Sequence, residues 1–135
     1  MKRPEIVATR SAGFEHELEL GPGHAITIDE PPDAGGADKG PAPGKLLAGS
    51  LAGCTAITIE MYADRKEWDV DGLAVGVEVE GTLYGGDLEY EVVVSLPEGL
   101  SEEQCDRLLK VAAKCPVHKA LAPSIPISVR AGTIS

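Results

Sequence analysis

Only three of the 135 residues are cysteines, and no two of them stand at a CxxC or zinc-ligand spacing. Metal binding and a disulfide scaffold are therefore not expected. Positive charge is scarce: 12 Lys and Arg face 22 Asp and Glu, a formal charge of −10. Such a chain repels phosphate backbones and anionic lipid surfaces, which argues against nucleic acid and membranes as partners. The start, MKRPEIVATR, has no apolar core after its basic residues and does not read as a signal peptide. Residues 46–63 are interrupted by Gly49, Ser50, Cys54, Thr55 and Glu60, and read as too polar for a membrane span. The expected compartment is the cytoplasm, where thiols stay reduced and a disulfide is transient, catalytic or sensory. No internal repeat or linker divides the sequence, so one domain over 1–135 with one core is expected.

What is present is a sequence of short alternating strands around one long small-residue helix. In FEHELEL (14–20), Phe14, His16, Leu18 and Leu20 share one face and three glutamates the other, the pattern of a half-buried strand. GPG at 21–23 is a turn, HAITIDE (24–30) its hairpin partner, and residues 5–10 a possible earlier strand. PPDAGGADKGPAPG (31–44) is a loop long enough to suggest function. A helix is expected from Pro43 to about Arg65, with Leu46, Leu47, Ser50, Leu51, Cys54, Ile57, Thr58 and Met61 at helical spacings. Its other early positions are Ala, Gly and Thr, so burial nearly all round is expected. Strands follow in LAVGVEVEG (73–81) and DLEYEVVVSL (87–96). Ser101 to Gln104 form a capping box that opens a helix to about Lys114, Pro116 restarts a short helix to Leu121, and IPISVRAG (125–132) closes as a strand. The order predicts an α+β fold with an antiparallel sheet and segregated helices.

The chemistry rests on the cysteines. Cys54 lies halfway along the buried helix, where a thiol ordinarily serves as a small hydrophobe. Burial raises its pKa, so a nucleophilic role requires a cation or several donors beside it. Cys115 directly precedes Pro116, which makes it the N-cap of the short helix. Its sulfur is then expected to face unpaired amides and the positive end of the helix dipole, lowering its pKa. His118, one turn on, is either a proton relay or an ordinary capped or surface histidine. Cys105 stands among Glu102, Glu103 and Asp106, which oppose thiolate formation, and reads as a bystander.

The stretch DEPPDAGGADKGPAPGKLLAGSLAGCTAITIEMYADRKEWDVDGLAV followed by CPVHKAL resembles the OsmC-like family, which includes the OsmC and organic hydroperoxide resistance (Ohr) branches. The resemblance runs from about residue 24 to 134. It rests on a GxxP loop leading into a long helix with a mid-helix cysteine, the MYADRK helix end, and a CPV about sixty residues later. It implies an OsmC-like fold of strands, helix, strands, helices and strand, in an intertwined homodimer whose long central helices pack together inside a wrap of sheet. By the same resemblance Cys54 is the peroxidatic and Cys115 the resolving cysteine of a thiol-dependent peroxidase. Its substrate is a small organic hydroperoxide and its reductant an external dithiol, with no cofactor or metal. The peroxidase branches also carry a glutamate after the helix-opening proline, which holds a catalytic arginine toward the thiolate. Here Gly44 and Lys45 follow Pro43, and residues 24–42 contain no arginine, so Arg10 is the candidate for that role. Lys45, nine residues before Cys54, is about half a turn off its helix face. These departures place the chain in a branch outside the two peroxidases. The alternative is a non-enzymatic member, a redox sensor or a binder of a small apolar ligand.

Overall fold

Glutamates alternating with apolar residues build the first sheet, and glycines with positive φ turn it. In the computed structural model, which describes residues 2–134, β1 (Ile6–Ala12), β2 (Glu15–Leu20) and β3 (Ala25–Ile28) form an antiparallel sheet in that order. Gly13 (φ 56) turns β1 into β2, with an irregularity between Arg10 and Ala12, and Gly21 (φ 103) and Gly23 (φ 79) turn β2 into β3. The chain divides between Leu47 and Ala48 into two compact units, and this sheet belongs to the first.

Within that unit Asp29 is the one buried residue among those described. Ile6, Phe14 and Leu20 are 55%, 53% and 42% exposed, so the face expected to be half-buried is largely open in the single chain. A three-stranded sheet normally needs a covered apolar face to hold itself together. Asp29 organises the loop that follows. One carboxylate oxygen accepts the Glu30 amide at 2.7 Å, and the other accepts those of Ala37 and Lys39 at 3.3 and 3.1 Å. Burial raises its pKa, but these three amides and the charge of His16 outweigh burial and hold it below the ordinary aspartate value. The folded loop thus favours the ionised form. Its contribution is present above the free-aspartate pKa and is lost as pH falls through the depressed one. Pro32–Ala34 form a single 3-10 turn.

The loop is also tightly wound. A Cβ on Gly36 would lie 1.8 Å from the Glu30 carbonyl oxygen, and one on Gly40 would lie 2.0 Å from that of Thr27. Both neighbours are backbone and cannot swing away. Gly40→Ala is therefore expected to destabilise the protein by about 1–3 kcal/mol, as overpacking does. Urea unfolding measures it, and an unchanged midpoint would show that the loop is looser than described.

The central helix, α1 (Pro43–Lys66), has 24 residues. It opens with the Lys45 and Leu46 amides on the Ala42 carbonyl. It ends where Glu67 turns left-handed (φ 59) and the Trp68 amide reaches the Ala63 carbonyl at 2.9 Å. By length and apolarity it equals a membrane-crossing helix, with an 18-residue window of mean hydropathy 1.3, a test that buried core helices also pass. The expected burial all round is not what the chain shows. Leu51, Thr55, Ile59 and Ala63, every fourth residue, form the buried stripe, while Ile57 and Met61 are 52% and 62% exposed. Small side chains permit close packing on every face, but a single chain supplies cover for one.

Beyond Lys66 the second unit continues with β4 (Ala74–Glu80), β5 (Glu89–Ser95), α2 (Glu102–Ala112), α3 (Pro116–Leu121) and β6 (Ile127–Ala131). The sheet order is β4-β5-β6. The β4–β5 pair is antiparallel, but β5–β6 is parallel, which corrects the wholly antiparallel expectation. Parallel neighbours need a long crossover, and α2 and α3 provide it. Tyr90, Val92 and Val94 of β5 are buried, as are Leu51 and Ile59 of α1 and Leu108 of α2, and Val93 on the opposite face of β5 is buried too. Ser101 caps α2 as its sequence foretold: its hydroxyl accepts the Gln104 amide at 3.1 Å while the Gln104 side chain accepts the Ser101 amide at 2.8 Å. The α+β class holds, with two small sheets and one long helix.

Candidate functional site

Cys54 and Cys115 meet in the second unit. Helix α1 carries Cys54 one position before the fully buried Thr55, and Cys115 is the fully buried N-cap of α3. Pro116 at the first helical position fixes that cap. The Cys115 sulfur accepts the backbone N–H of His118 at 3.4 Å, as an N-cap side chain should. The 61-residue separation in sequence is closed by α1 and by the α2–α3 crossover.

The two thiols share a proton unequally. Burial raises the Cys54 pKa. The Cys115 thiol donates to its sulfur, the Val117 backbone N–H donates a second hydrogen bond and the Thr58 hydroxyl a third, and together these bring it below the ordinary thiol value. For Cys115 burial again comes first and raises the pKa. Its bond to Cys54 and the neighbouring negative charge raise it further, against smaller lowering by the His118 amide and the Thr55 hydroxyl. Of the two, Cys54 is the sulfur that gives up its proton first, with the Cys115 thiol as one of its donors. This corrects the lowered pKa expected for Cys115 and agrees with the one that the family resemblance requires of Cys54. Cys115 does sit at the helix start, but complete burial outweighs the amides there. Cys54 is part-buried and has the donors that the helix sequence alone could not supply.

Those donors were missed by sequence reasoning. Thr58 is four residues after Cys54, the spacing that stacks two side chains on a helix face, and this is the signal that could have found it. The Val117 amide becomes available because Pro116 and the cap leave the first amides of α3 unpaired. Thr55 Oγ1 is buried without a hydrogen bond of ordinary geometry, as is His118 Nδ1. Burial lowers the His118 pKa, so its imidazole is neutral at physiological pH. Cys105 is a free, half-buried thiol on α2.

The remaining candidates lie in the first unit. Arg10 is exposed on β1 and its Nε donates to the Gly13 carbonyl at 2.9 Å. Lys45 is exposed in the first turn of α1 and lines, with Lys39 and Asp38, a hollow of about 400 Å³ in the proline-rich loop. Within the second unit the groups that favour the Cys54 thiolate are all neutral.

This helix-borne cysteine paired with a capping cysteine stands on a fold shared with known structures. The model of the family of OsmC-like proteins matches residues 36–130, and the chain belongs to that family. No curated protein matches the sequence. Among solved structures, a Psychrobacter arcticus protein, provisionally assigned to the osmotic stress and detoxification response, superposes with a TM-score of 0.84 at 23% identity, covering 98% of each chain. The OsmC organic hydroperoxide resistance protein of Legionella pneumophila gives 0.71 at 18% identity, over 98% of this chain and 100% of its own. The organic hydroperoxide resistance protein OhrB of Bacillus subtilis gives 0.65 at 21%, over 94% and 97%. At these identities the likeness is one of fold.

Proposed function

We propose that the protein is a thiol-dependent peroxidase that reduces organic hydroperoxides through Cys54 and Cys115. The observation that carries this reading is the pairing itself: a lowered-pKa thiolate hydrogen-bonded to a buried thiol that can resolve it. The Cys54 thiolate attacks the distal peroxide oxygen, the O–O bond breaks, the alcohol leaves with a proton, and Cys54 becomes a sulfenic acid. Cys115 displaces the hydroxyl as water to form a disulfide, which an external dithiol reduces. Family membership and the hydroperoxide resistance proteins among its structural relatives support the same chemistry. Turnover of a panel of alkyl hydroperoxides with a dithiol tests it. Catalytic consumption is expected, and a protein that consumes none of them is a non-enzymatic member of the family.

The exposed faces of the first sheet and of α1 support a homodimer in which a second copy covers them. Arg10 is the residue proposed to bring positive charge to the thiolate in that assembly. The pH dependence of alkylation, followed in a Cys105→Ser background, is expected to place Cys54 below the ordinary thiol midpoint and Cys115 above it. A thiolate stabilised by Arg10 loses that help in Arg10→Ala, so the Cys54 midpoint should rise and turnover fall. An unchanged midpoint with unchanged turnover removes Arg10 from the site.

A further inference from the structure

Thr55 is fully buried on α1, and its Oγ1 has no hydrogen-bond partner of ordinary geometry. A buried helical hydroxyl ordinarily turns back to the carbonyl one turn earlier or finds another partner, because burying it unpaired is costly. This one does neither. The group it reaches is the Cys115 sulfur, toward which it acts as a donor. Cys115 is fully buried as well, so its sulfur depends on donors from the protein. One is the His118 backbone amide at 3.4 Å, and the other is Thr55. We propose that Thr55 is a donor of the resolving step, its hydroxyl holding the Cys115 sulfur as that sulfur gives up its proton and attacks Cys54.

A thiol sulfur is a weak acceptor, whereas a thiolate is a strong one. At rest Cys115 donates its own proton to Cys54, and the Thr55 hydroxyl has little to bond. Its bond strengthens only as charge gathers on the Cys115 sulfur, and an interaction made in the transition state and not before it lowers the barrier. That accounts for the unpaired oxygen. The two hydroxyls of CTAIT (54–58) then divide the site, Thr58 serving Cys54 and Thr55 serving Cys115. The step balances. The Cys115 S–H bond breaks and its proton passes to the hydroxyl oxygen of the Cys54 sulfenic acid. The sulfur–sulfur bond forms as the S–O bond breaks, and water leaves. Thr55 keeps its own proton throughout. The sulfenic acid comes from the peroxidase reading, on which this inference rests, but the attack of Cys115 can be measured without it.

In a Cys105→Ser background, one equivalent of the disulfide of thionitrobenzoate modifies Cys54 and releases a first coloured thiol. Attack by Cys115 on the mixed disulfide releases a second. Cys54 carries no charge in that mixed disulfide, and the donor to Cys115 from α3 is a backbone amide, so the pH profile of the second release reports Cys115. Thr55→Val keeps the side-chain shape and removes the hydroxyl, Thr55→Ser restores it, and Thr55→Ala is a second hydroxyl-free variant. Thermal unfolding shows whether each is folded. Without the hydroxyl the midpoint of the second release should rise by about one pH unit, the lower end of what a hydrogen bond to a charged group supplies. A thiolate of higher pKa is scarcer at neutral pH but more nucleophilic. The second release should therefore be about threefold slower at neutral pH and about threefold faster above both midpoints. Thr55→Ser should follow the wild type, and the first release should be the same in all. A hydroxyl-free profile that superposes on the wild type overturns the proposal. So does an equal slowing at every pH, or a change in the first release, either of which marks a structural role. A wild type that gives no second release overturns it together with the two-cysteine site. If the wild type gives both releases but ignores hydroperoxides, the peroxidase reading fails while the assignment of Thr55 stands.

Discussion

Cys54→Ser is expected to abolish hydroperoxide turnover, whereas Cys115→Ser should slow the first oxidation without losing it and stop there. A serine hydroxyl is not ionised near neutral pH, and three hydrogen bonds to the position cannot make it a match for a thiolate. Enzymes accelerate their reactions by roughly 10⁶-fold or more, and loss of the covalent nucleophile should return the rate to that of peroxide with dithiol alone. Cys115→Ser removes the thiol that Cys54 uses to form its disulfide. Its first turnover should yield a sulfenic acid that a dimedone-type reagent traps, and excess peroxide should carry it on to the sulfinic acid. The Thr58 and Val117 donors survive that substitution, so the initial attack should be slowed and not lost. Residual multiple turnover in Cys54→Ser would mean that another group is the nucleophile.

Ile57→Lys is expected to convert the proposed dimer into a monomer or an aggregate. Ile57 and Met61 line an open cleft of about 490 Å³ with Val70, Leu73, Glu60 and Asp64, and both apolar side chains are more than half exposed. Burying each against a second copy would stabilise the assembly by about 1.5–3 kcal/mol per chain. A two-fold interface places the same substitution twice, so the lysine enters as a pair of like charges. Light scattering on wild type and variant reads the outcome. A folded wild-type monomer at micromolar concentration would contradict the proposed assembly. A variant that remains dimeric with unchanged stability would place the interface elsewhere.

The parts of this protein that were legible in its sequence are those governed by local rules. The glutamate alternation of β2 and β5, the capping box at Ser101 and the Cys115-Pro116 helix start each depend on a few adjacent residues, and each is found where the pattern put it. The parallel pairing of β6 with β5 was not legible, because it depends on how α2 and α3 return the chain. Nor was the partial exposure of α1. Its Ala, Gly and Thr residues are compatible with burial on all sides, but how much is covered depends on what packs there. At the site, the sequence named both cysteines but gave the low pKa to Cys115. Helix position is readable from Cys115-Pro116. Complete burial of that sulfur, and the approach of the Val117 amide to Cys54, come from elements distant in the chain, whereas Thr58 stands one turn from Cys54 on α1.

The central claim is that Cys54 and Cys115 form one redox site. One equivalent of an organic hydroperoxide, added to the reduced protein and followed by alkylation, peptide mapping and mass spectrometry, tests it most directly. The account predicts the loss of two free thiols per chain and a single bridge between residues 54 and 115, with Cys105 still alkylated. Thiols left untouched by the peroxide, or a bridge that includes Cys105, would contradict it.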